Sequence, residues 1–385
     1  MTFYQELQLN QAGSKLMIQE AVGRRAKAWH LLVYLVKILL TMVFCVAFVT
    51  LYGWVFGAEN NIVGVVVLLC LMVFRQADLG MRRGQSLLAL GLVFLVLAFG
   101  PRLANLAELG GELAVHGLSL LVILVLGCHN VGMGNHLTLV LGYLLLYGYD
   151  VEAAAFPSRL AALAVGCGLT LLVYARNHRA DPYWEGIPAV LRAWSLGEAR
   201  SRWQLKAAFG VATALVLAHG LGFPRPMWMG IAAMSVLLPS RQAIPGRVKG
   251  RIWGNLAGGA GFCLLYCRLP GSLLPYLGIF GGIGVGLSAT YGWQAVFNSL
   301  GAMSIMVGTL GLPGVVLFRV GNNALGALYA WAVDRLAGPA WRVLRRAASR
   351  MRCRNAAHRG ITAGGVVFVC GGDPFRFWRG MAGPG

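Results

Sequence analysis

Twelve apolar runs divide this chain, and no other feature of the sequence limits its fold as strongly. Hydrophobic residues make up 58% of the chain and charged residues only 12%, so lipid must solvate much of the surface. Only helices and closed barrels satisfy the backbone in hydrocarbon, and the runs lack the alternation of barrel strands. The sequence therefore predicts an all-α polytopic membrane protein with twelve transmembrane helices, near 31–57, 61–75, 85–101, 112–128, 133–149, 158–176, 204–222, 226–240, 252–268, 271–289, 293–311 and 313–334.

The basic residues predict how these spans are oriented. When the spans alternate, the side of the N-terminus carries 27 of the 33 Lys and Arg residues, and the opposite side carries three: Arg102, Arg225 and Arg268. Because basic loops stay in the cytoplasm, both termini are predicted to be cytoplasmic. The net charge of +20 lies in short loops and tails, which argues against nucleic acid as a partner. No N-terminal signal peptide is apparent, because the first thirty residues are mixed and polar.

The chain also repeats itself. Residues 64–84 return 166 positions later as residues 230–250, with seven identities in 21 positions, including an Arg-Gln-Ala triplet in each copy. A second match, at an offset of 160, joins two segments in the last span of each half: Arg159–Gly166 and Arg319–Gly326. Six spans separate the copies, so both enter the membrane in the same sense. The sequence predicts two parallel six-helix repeats related by an axis along the membrane normal.

Five segments follow from this pattern. They are a cytoplasmic amphipathic segment at 1–30, a first repeat at 31–176, a cytoplasmic linker at 177–203, a second repeat at 204–335, and a basic cytoplasmic tail at 336–385. The tail is expected to be disordered beyond about residue 356, where periodicity is lost. Anionic lipids at the inner surface are the expected partner of the basic termini. The pattern does not specify an oligomeric state.

The repeated loop supplies four candidate entrance residues at the cytoplasmic surface: Arg75, Arg83, Arg241 and Lys249. An arginine at a helix C-terminus caps the last carbonyls or reaches lipid phosphate. Placed near the axis, the same side chains would gather an anionic substrate, because a guanidinium binds a carboxylate through two hydrogen bonds. Both interpretations remain open from sequence.

Candidate substrate-binding residues lie deeper. Arg319 is about seven residues inside its predicted span, where an unpartnered charge costs several kcal/mol, and Arg159 is its counterpart in the repeat. Asn322 and Asn323 share its helix face and offer amide donors. Asn135 and Asn298 belong to polar clusters where the fifth span of each half begins, which is typical of a vestibule or of interfacial caps.

Other chemistry is not indicated. The spans contain no acidic residue in their middle, so proton coupling would need a histidine such as His129 or His136, the substrate's own carboxyl group, or an acid at a span end. Glycine-rich runs fall inside apolar spans, where small residues allow close helix packing. Because no Walker motif, nucleophile elbow or metal-ligand spacing appears, we expect no cofactor, no metal site and no enzymatic activity.

Seven blocks of the sequence resemble the fusaric acid resistance-like (FUSC) family, which is related to aromatic acid exporters and more distantly to plant malate channels. They are Met1–Ser14, Gly64–Arg75, Phe99–Asn105, Leu137–Asp150, Met227–Pro239, Arg247–Asn255 and Gly284–Gly301, and the resemblance spans about residues 1–340. It implies efflux of organic, aromatic or other weak acids across a bacterial cytoplasmic membrane. This chain lacks the large cytoplasmic domain that many relatives carry between the halves.

Two hypotheses of function follow, with a third in reserve. The first is a secondary transporter that exports small organic anions by alternating access, with the two halves rocking around a central site. The second is a passive organic-anion channel with a basic pore between the halves, which the absence of mid-span acids favours. A non-transporting membrane scaffold is the third, although short loops offer little docking surface.

Overall fold

Helices account for most of the residues that the structure describes. The structure is a computed structural model that describes residues 2–9 and 11–360, and it contains no strand within those ranges. Its α-helices are α1 Phe3–Leu7, α2 Gln11–Glu20, α3 Arg24–Phe56, α4 Asn61–Phe74, α5 Arg83–Leu106, α6 Leu109–Gly127, α7 Asn135–Gly148, α8 Phe156–Asn177, α9 Ile187–Ala193, α10 Ala199–Gly220, α11 Met227–Val236, α12 Ile244–Arg268, α13 Leu277–Leu287 and α14 Tyr291–Gly360. Helices lie over all the predicted runs.

Helix α14 covers the last two predicted spans and is broken once between them. Gly311 has non-helical dihedral angles there, with φ +68° and ψ 168°. Glycine adopts a positive φ without steric penalty, so this position lets the chain turn between two helices. The residues before and after Gly311 therefore form separate helical segments of the fold.

Helix length separates the spans into two groups. Five stretches among the described residues are long and apolar enough to cross a membrane: Arg24–Phe56, Arg83–Leu106, Leu109–Gly127, Ala153–Asn177 and Tyr291–Pro339. By contrast, α4 has 14 residues and α11 has 10. At about 1.5 Å per residue, neither spans a hydrocarbon core of about 30 Å by itself. The fold is that of a helical membrane protein, while twelve crossings stay a prediction.

The end of α11 is buried rather than exposed at a surface. Leu237 and Leu238 follow its last turn and are 0% and 8% exposed. A buried helix end leaves carbonyl groups without partners unless side chains reach them. Trp203 on α10 does so, because its indole Nε1 donates to the Leu237 carbonyl at 2.8 Å.

The two halves pack through a four-helix interface. In it, α6 and α7 of the first half contact α10 and α11 of the second, while α3 contacts α13. Gln204 on α10 donates to the carbonyl of Leu124 on α6 at 3.0 Å. Arg225 donates to the carbonyl of Gly148 at 2.7 Å. The interface is therefore joined by polar contacts as well as by apolar packing.

The repeated loop differs between its two copies. Arg83 and Lys249 correspond in the repeat, and α5 begins at Arg83, but α12 begins at Ile244, five residues before Lys249 (249 − 244). Pro245 lies in the first turn of α12, where its fixed φ favours helix initiation. In the first copy, Gly80 is the counterpart of Gly246. It has φ +74° and lies in a bend, and the chain becomes helical only at Arg83.

A glycine stripe holds α12 against the first part of α14. A Cβ at Gly254 would lie 2.6 Å from both the Ala295 Cβ and the Gly292 carbonyl oxygen. A Cβ at Gly258 would lie 2.7 Å from the Val296 carbonyl oxygen. The prediction that the glycine runs serve helix packing is confirmed here, since only glycine permits these approaches.

We expect Gly254→Ala to destabilise the protein, because the added methyl group meets backbone that must move. Overpacking of this kind costs about 1–3 kcal/mol. Gly261→Ala on the same helix is the matched control, since its added Cβ has nothing within 4 Å. Thermal unfolding of both variants in detergent tests this, and equal melting temperatures would contradict the close contact.

The segments outside the predicted spans also have defined positions. Helices α1 and α2 pack against α3, Gln11 donates to the carbonyl of Gly286 at 2.8 Å, and Lys37 bonds the carbonyl of Leu9 and the Ser14 hydroxyl. The linker contains α9 and joins the first half through the Arg82 N–H, which donates to the Glu185 carbonyl at 2.8 Å.

The chain divides into two units after Val333. In the second unit, α14 continues as far as Gly360. The disorder predicted beyond about residue 356 concerns residues that lie mostly outside the described part of the chain.

Candidate functional site

Two buried arginines lie close together in the second half. Arg251, on α12, is 6% exposed, and Arg319, on α14 beyond the Gly311 break, is 5% exposed. Their guanidinium groups lie within electrostatic range and repel each other. A Cβ at Gly259 of α12 would lie 3.1 Å from Val320, so α12 also packs closely against the segment that carries Arg319. Two like charges are thus held together in the interior of the second half.

Amide and aromatic groups surround the two guanidinium groups. Arg251 Nε donates to Asn323 Oδ1 at 2.9 Å, and Arg251 Nη1 donates to the Tyr291 hydroxyl at 3.1 Å. The Arg319 guanidinium lies over the Trp228 ring, 5.2 Å from its centroid. Asn323 Nδ2 donates to the Arg319 carbonyl at 2.7 Å, so Asn323 links the two arginines.

Neither arginine is neutralised. Within the described residues, no carboxylate lies against Arg251 or Arg319. Arg319 Nε is buried without a hydrogen-bond partner. A buried charge without a counter-charge costs several kcal/mol, which makes the pair a candidate functional site.

Asn322 extends this polar group towards the start of α11. It is 1% exposed, and its Nδ2 donates to the Pro224 carbonyl at 2.9 Å. Its Oδ1 is buried without a partner. The sequence predicted Arg319, Asn322 and Asn323 as neighbours, and the structure places all three together with Arg251.

Residues 211–333, which contain this arginine pair, match a family model described as fusaric acid resistance protein-like. Those residues are similar to the fusaric acid resistance-like family. The predicted resemblance is thereby confirmed over this part of the chain, and the family implies a membrane transport or efflux role for this multi-pass protein. Comparison with curated proteins and with solved structures gave no match.

Arg159 has a different environment from Arg319, its repeat counterpart. It is 3% exposed, and every nitrogen of its guanidinium donates a hydrogen bond. Nε donates to Asn60 Oδ1 at 2.9 Å, Nη1 to the Tyr149 carbonyl at 2.7 Å, and Nη2 to the Glu59 carbonyl at 2.9 Å. Arg159 therefore joins two loops at one end of the first half, with three of its five N–H donors bonded to protein acceptors.

The other two predicted binding residues lie outside the arginine pair. Asn135 is fully buried at the start of α7, and its Nδ2 donates to the carbonyls of Asp78 and Gly127 at 2.9 and 3.1 Å. Asn298 is exposed on α14. Its neighbour Ser299 is the buried one, and its hydroxyl donates to Asn255 Oδ1 at 2.7 Å.

The predicted entrance residues lie at the surface. Arg75, Arg241 and Lys249 are exposed. Arg83 is half-buried, its Nη2 donates to the Ala175 carbonyl at 2.7 Å, and its backbone N–H donates to Asp181 Oδ1 at 3.0 Å. It lines a cavity of about 190 Å³ between the repeated loop of the first half and the linker.

The two histidines proposed from sequence lie in separate environments. Burial and the positive charge of Arg200 lower the pKa of His129 in the loop between α6 and α7, and its Nε2 lies 3.1 Å from Glu185 Oε2. His136 is buried on α7, stacks edge-on against Trp203 at 5.0 Å, and has no hydrogen-bond partner on either ring nitrogen. It lines a cavity of only about 10 Å³.

Two further functional candidates were missed in the sequence. Arg251 was assigned to the cytoplasmic side, just before the predicted span 252–268. Helix α12 begins at Ile244, however, so Arg251 lies within this helix and is buried. Glu112 was assigned to a span end on the outer side, but it is 0% exposed. Pro245, in the first turn of α12, could have indicated the early helix start that places Arg251 within the helix. The sequence around Glu112 does not indicate which residues contact it.

Proposed function

We propose that this protein is a secondary transporter that exports organic anions, aromatic carboxylic or other weak acids, across the bacterial cytoplasmic membrane. The observation that carries the proposal is the pair Arg251 and Arg319, which is buried without a carboxylate partner. The predicted topology of twelve crossings, in two parallel repeats with cytoplasmic termini, is part of this proposal. It puts the pair within the membrane-embedded part of the second half.

The chemistry of the pair suits a carboxylate. A guanidinium presents a planar fork of donors that matches two carboxylate oxygens, and Arg319 Nε is an unused donor. The Trp228 ring beside Arg319 supplies an aromatic surface. Asn322 and Asn323 add amide groups that orient the ligand. Binding an anion here removes the repulsion between the two arginines.

The position of the short helices supports a transporter. Helices α4 and α11 are second in their halves, and both are too short to span a bilayer alone. Short or interrupted helices at corresponding positions of two repeats typically mark the binding site in transporters. Helix α11 carries Trp228, which contacts Arg319. The second half thus combines the short helix with the unneutralised charges.

Burial of the pair favours alternating access over the passive channel. A channel with a basic pore needs its arginines accessible to water, whereas Arg251 and Arg319 are 6% and 5% exposed. An occluded site has to open towards one side and then the other. In our proposal, rocking of the halves at the α6–α10 and α7–α11 contacts provides that opening.

Transport in proteoliposomes and electrical recording in planar bilayers test the proposal together. We expect saturable efflux of labelled aromatic carboxylates from a panel, beginning with benzoate, without unitary currents. Large unitary currents carried by the same anions would instead establish the channel. Efflux no faster than from protein-free liposomes for every acid in the panel would leave only the scaffold.

A further inference from the structure

A buried carboxylate lies at the interface between the halves. Glu112, on the first turn of α6, has a side chain that is 1% exposed. Its Oε1 accepts hydrogen bonds from the Tyr147 hydroxyl at 2.6 Å and from His116 Nε2 at 3.3 Å. Its Oε2 contacts His219 Nδ1 at 2.6 Å. Two histidines and a tyrosine thus surround one carboxylate.

The four contacts form one consistent chain of donors. The Tyr143 hydroxyl donates to His116 Nδ1 at 2.8 Å, which leaves His116 Nε2 protonated and directed at Glu112. Tyr147 and His219 donate to the same carboxylate. This arrangement requires no positive charge when both imidazoles are neutral. Nε2 of His219, the ring nitrogen that does not contact Glu112, is the position where one more proton can bind.

The cluster has a route to water on one side. The His219 side chain is 55% exposed at the end of α10, whereas those of Glu112 and His116 are 1% and 0% exposed. In the predicted topology this end of α10 faces the outside. His219, which belongs to the other half of the protein, therefore connects Glu112 to the water on that side.

Few other charges face this cluster. Helices α5, α7, α9 and α10 pack against α6. Arg102 on α5 is paired with Asp150 at 2.8 Å, and Arg192 on α9 is exposed near the opposite end of α6. From α7 the titratable groups are Tyr143 and Tyr147, and from α10 His219. Arg225, beyond α10, donates to the Gly148 carbonyl.

The second half has no equivalent carboxylate. The two repeat offsets place Glu112 opposite residue 272 (112 + 160) or 278 (112 + 166), which are Ser272 and Gly278. Conversely, the arginine pair has no equivalent in the first half, since the counterpart of Arg251 is Gln85 (251 − 166) and Arg159 donates to three protein acceptors. The buried carboxylate thus lies in the first half, and the buried arginine pair lies in the second half.

We propose that Glu112, His116 and His219 form the proton-binding site that drives anion export, an inference that rests on the proposed transport function. A proton from the outside binds His219 and pairs with the Glu112 carboxylate across the interface. When the halves move apart, Glu112 loses its contact with His219 and keeps only the uncharged donors Tyr147 and His116. The buried carboxylate then retains the proton in place of the lost positive charge, and the proton is released on the inner side. Anion export and proton entry then alternate at the two sites.

Gradient-driven uptake and counterflow separate this inference from the function on which it rests. In proteoliposomes with an acidic lumen, molecules whose outer side faces the lumen have their outer side in contact with acid. A passively permeating weak acid leaves an acidic lumen, so accumulation of labelled benzoate there reports proton-coupled transport. Counterflow against unlabelled benzoate without a pH gradient needs the anion site alone.

We expect Glu112→Gln to lose accumulation while retaining counterflow. Glu108→Gln, at the exposed cap of the same helix, is the matched control and should keep both. His219→Gln provides a second variant at a half-exposed position that is less prone to misfold, and it should shift gradient-driven uptake to lower pH or abolish it. Accumulation at the wild-type level in both variants would overturn the inference. Wild-type protein without counterflow for any acid in the panel would instead overturn the proposed function.

Discussion

Replacing Arg319 by methionine is expected to abolish efflux of a labelled aromatic acid and, at the same time, to make the protein more stable. Transport is lost because the variant removes the guanidinium that binds the carboxylate. One charged hydrogen bond contributes about 1.5–3 kcal/mol, so losing a two-bond contact lowers affinity by roughly 100-fold or more. Stability rises because a buried charge without a counter-charge is replaced by an apolar side chain of similar volume, an exchange that is neutral or stabilising by about 1–4 kcal/mol.

The sign of the stability change distinguishes a binding role from a structural one. If Arg319 held helices together, its removal would lower the melting temperature and the amount of folded protein along with transport. Arg268→Met, at the exposed end of α12, serves as the control and should change neither property. Arg319→Lys keeps the charge without the planar fork, so we expect weakened rather than abolished efflux. Unchanged efflux in Arg319→Met would remove the residue from the mechanism.

Residue type and spacing were enough to predict the helices but not the environments of their polar residues. The apolar runs locate the helices because each run has to bury its backbone hydrogen bonds within itself. The early start of α12 was not predicted, because the repeat places Ile244 in the loop. Consequently Arg251 lies eight residues into a helix rather than at its entrance, counting from Ile244. Its contact with Asn323 joins residues 72 positions apart.

The internal repeat predicts which residues occupy matching positions, but it does not predict their chemical environments. Arg159 and Arg319 occupy matching positions, yet one has three hydrogen-bond acceptors and the other has a buried Nε without any. The acceptors of Arg159 come from Asn60, Glu59 and Tyr149, which lie in loops of the first half only. Glu112 was placed correctly along its helix, but its burial depends on His219, which is 107 residues away in the sequence.

Arg159→Met is accordingly expected to give the opposite result from Arg319→Met, with a lower melting temperature and intact transport. The substitution leaves the carbonyls of Glu59 and Tyr149 and the Asn60 amide oxygen without their donor in a region that water reaches poorly. Each buried acceptor that is left without its donor costs about 1–3 kcal/mol. Thermal unfolding in detergent measures this loss of stability. Counterflow normalised to the amount of folded protein measures anion exchange at the binding site.

The two arginine variants are informative as a pair, because they share chemistry and repeat position. Arg268→Met again controls for the loss of a surface charge. If Arg159→Met lost counterflow while keeping its melting temperature, the first half would contribute directly to the anion site. If it lost stability alone, the repeat would have kept the arginine in both halves for different reasons: one to hold the loops of the first half together, and the other to bind the transported anion.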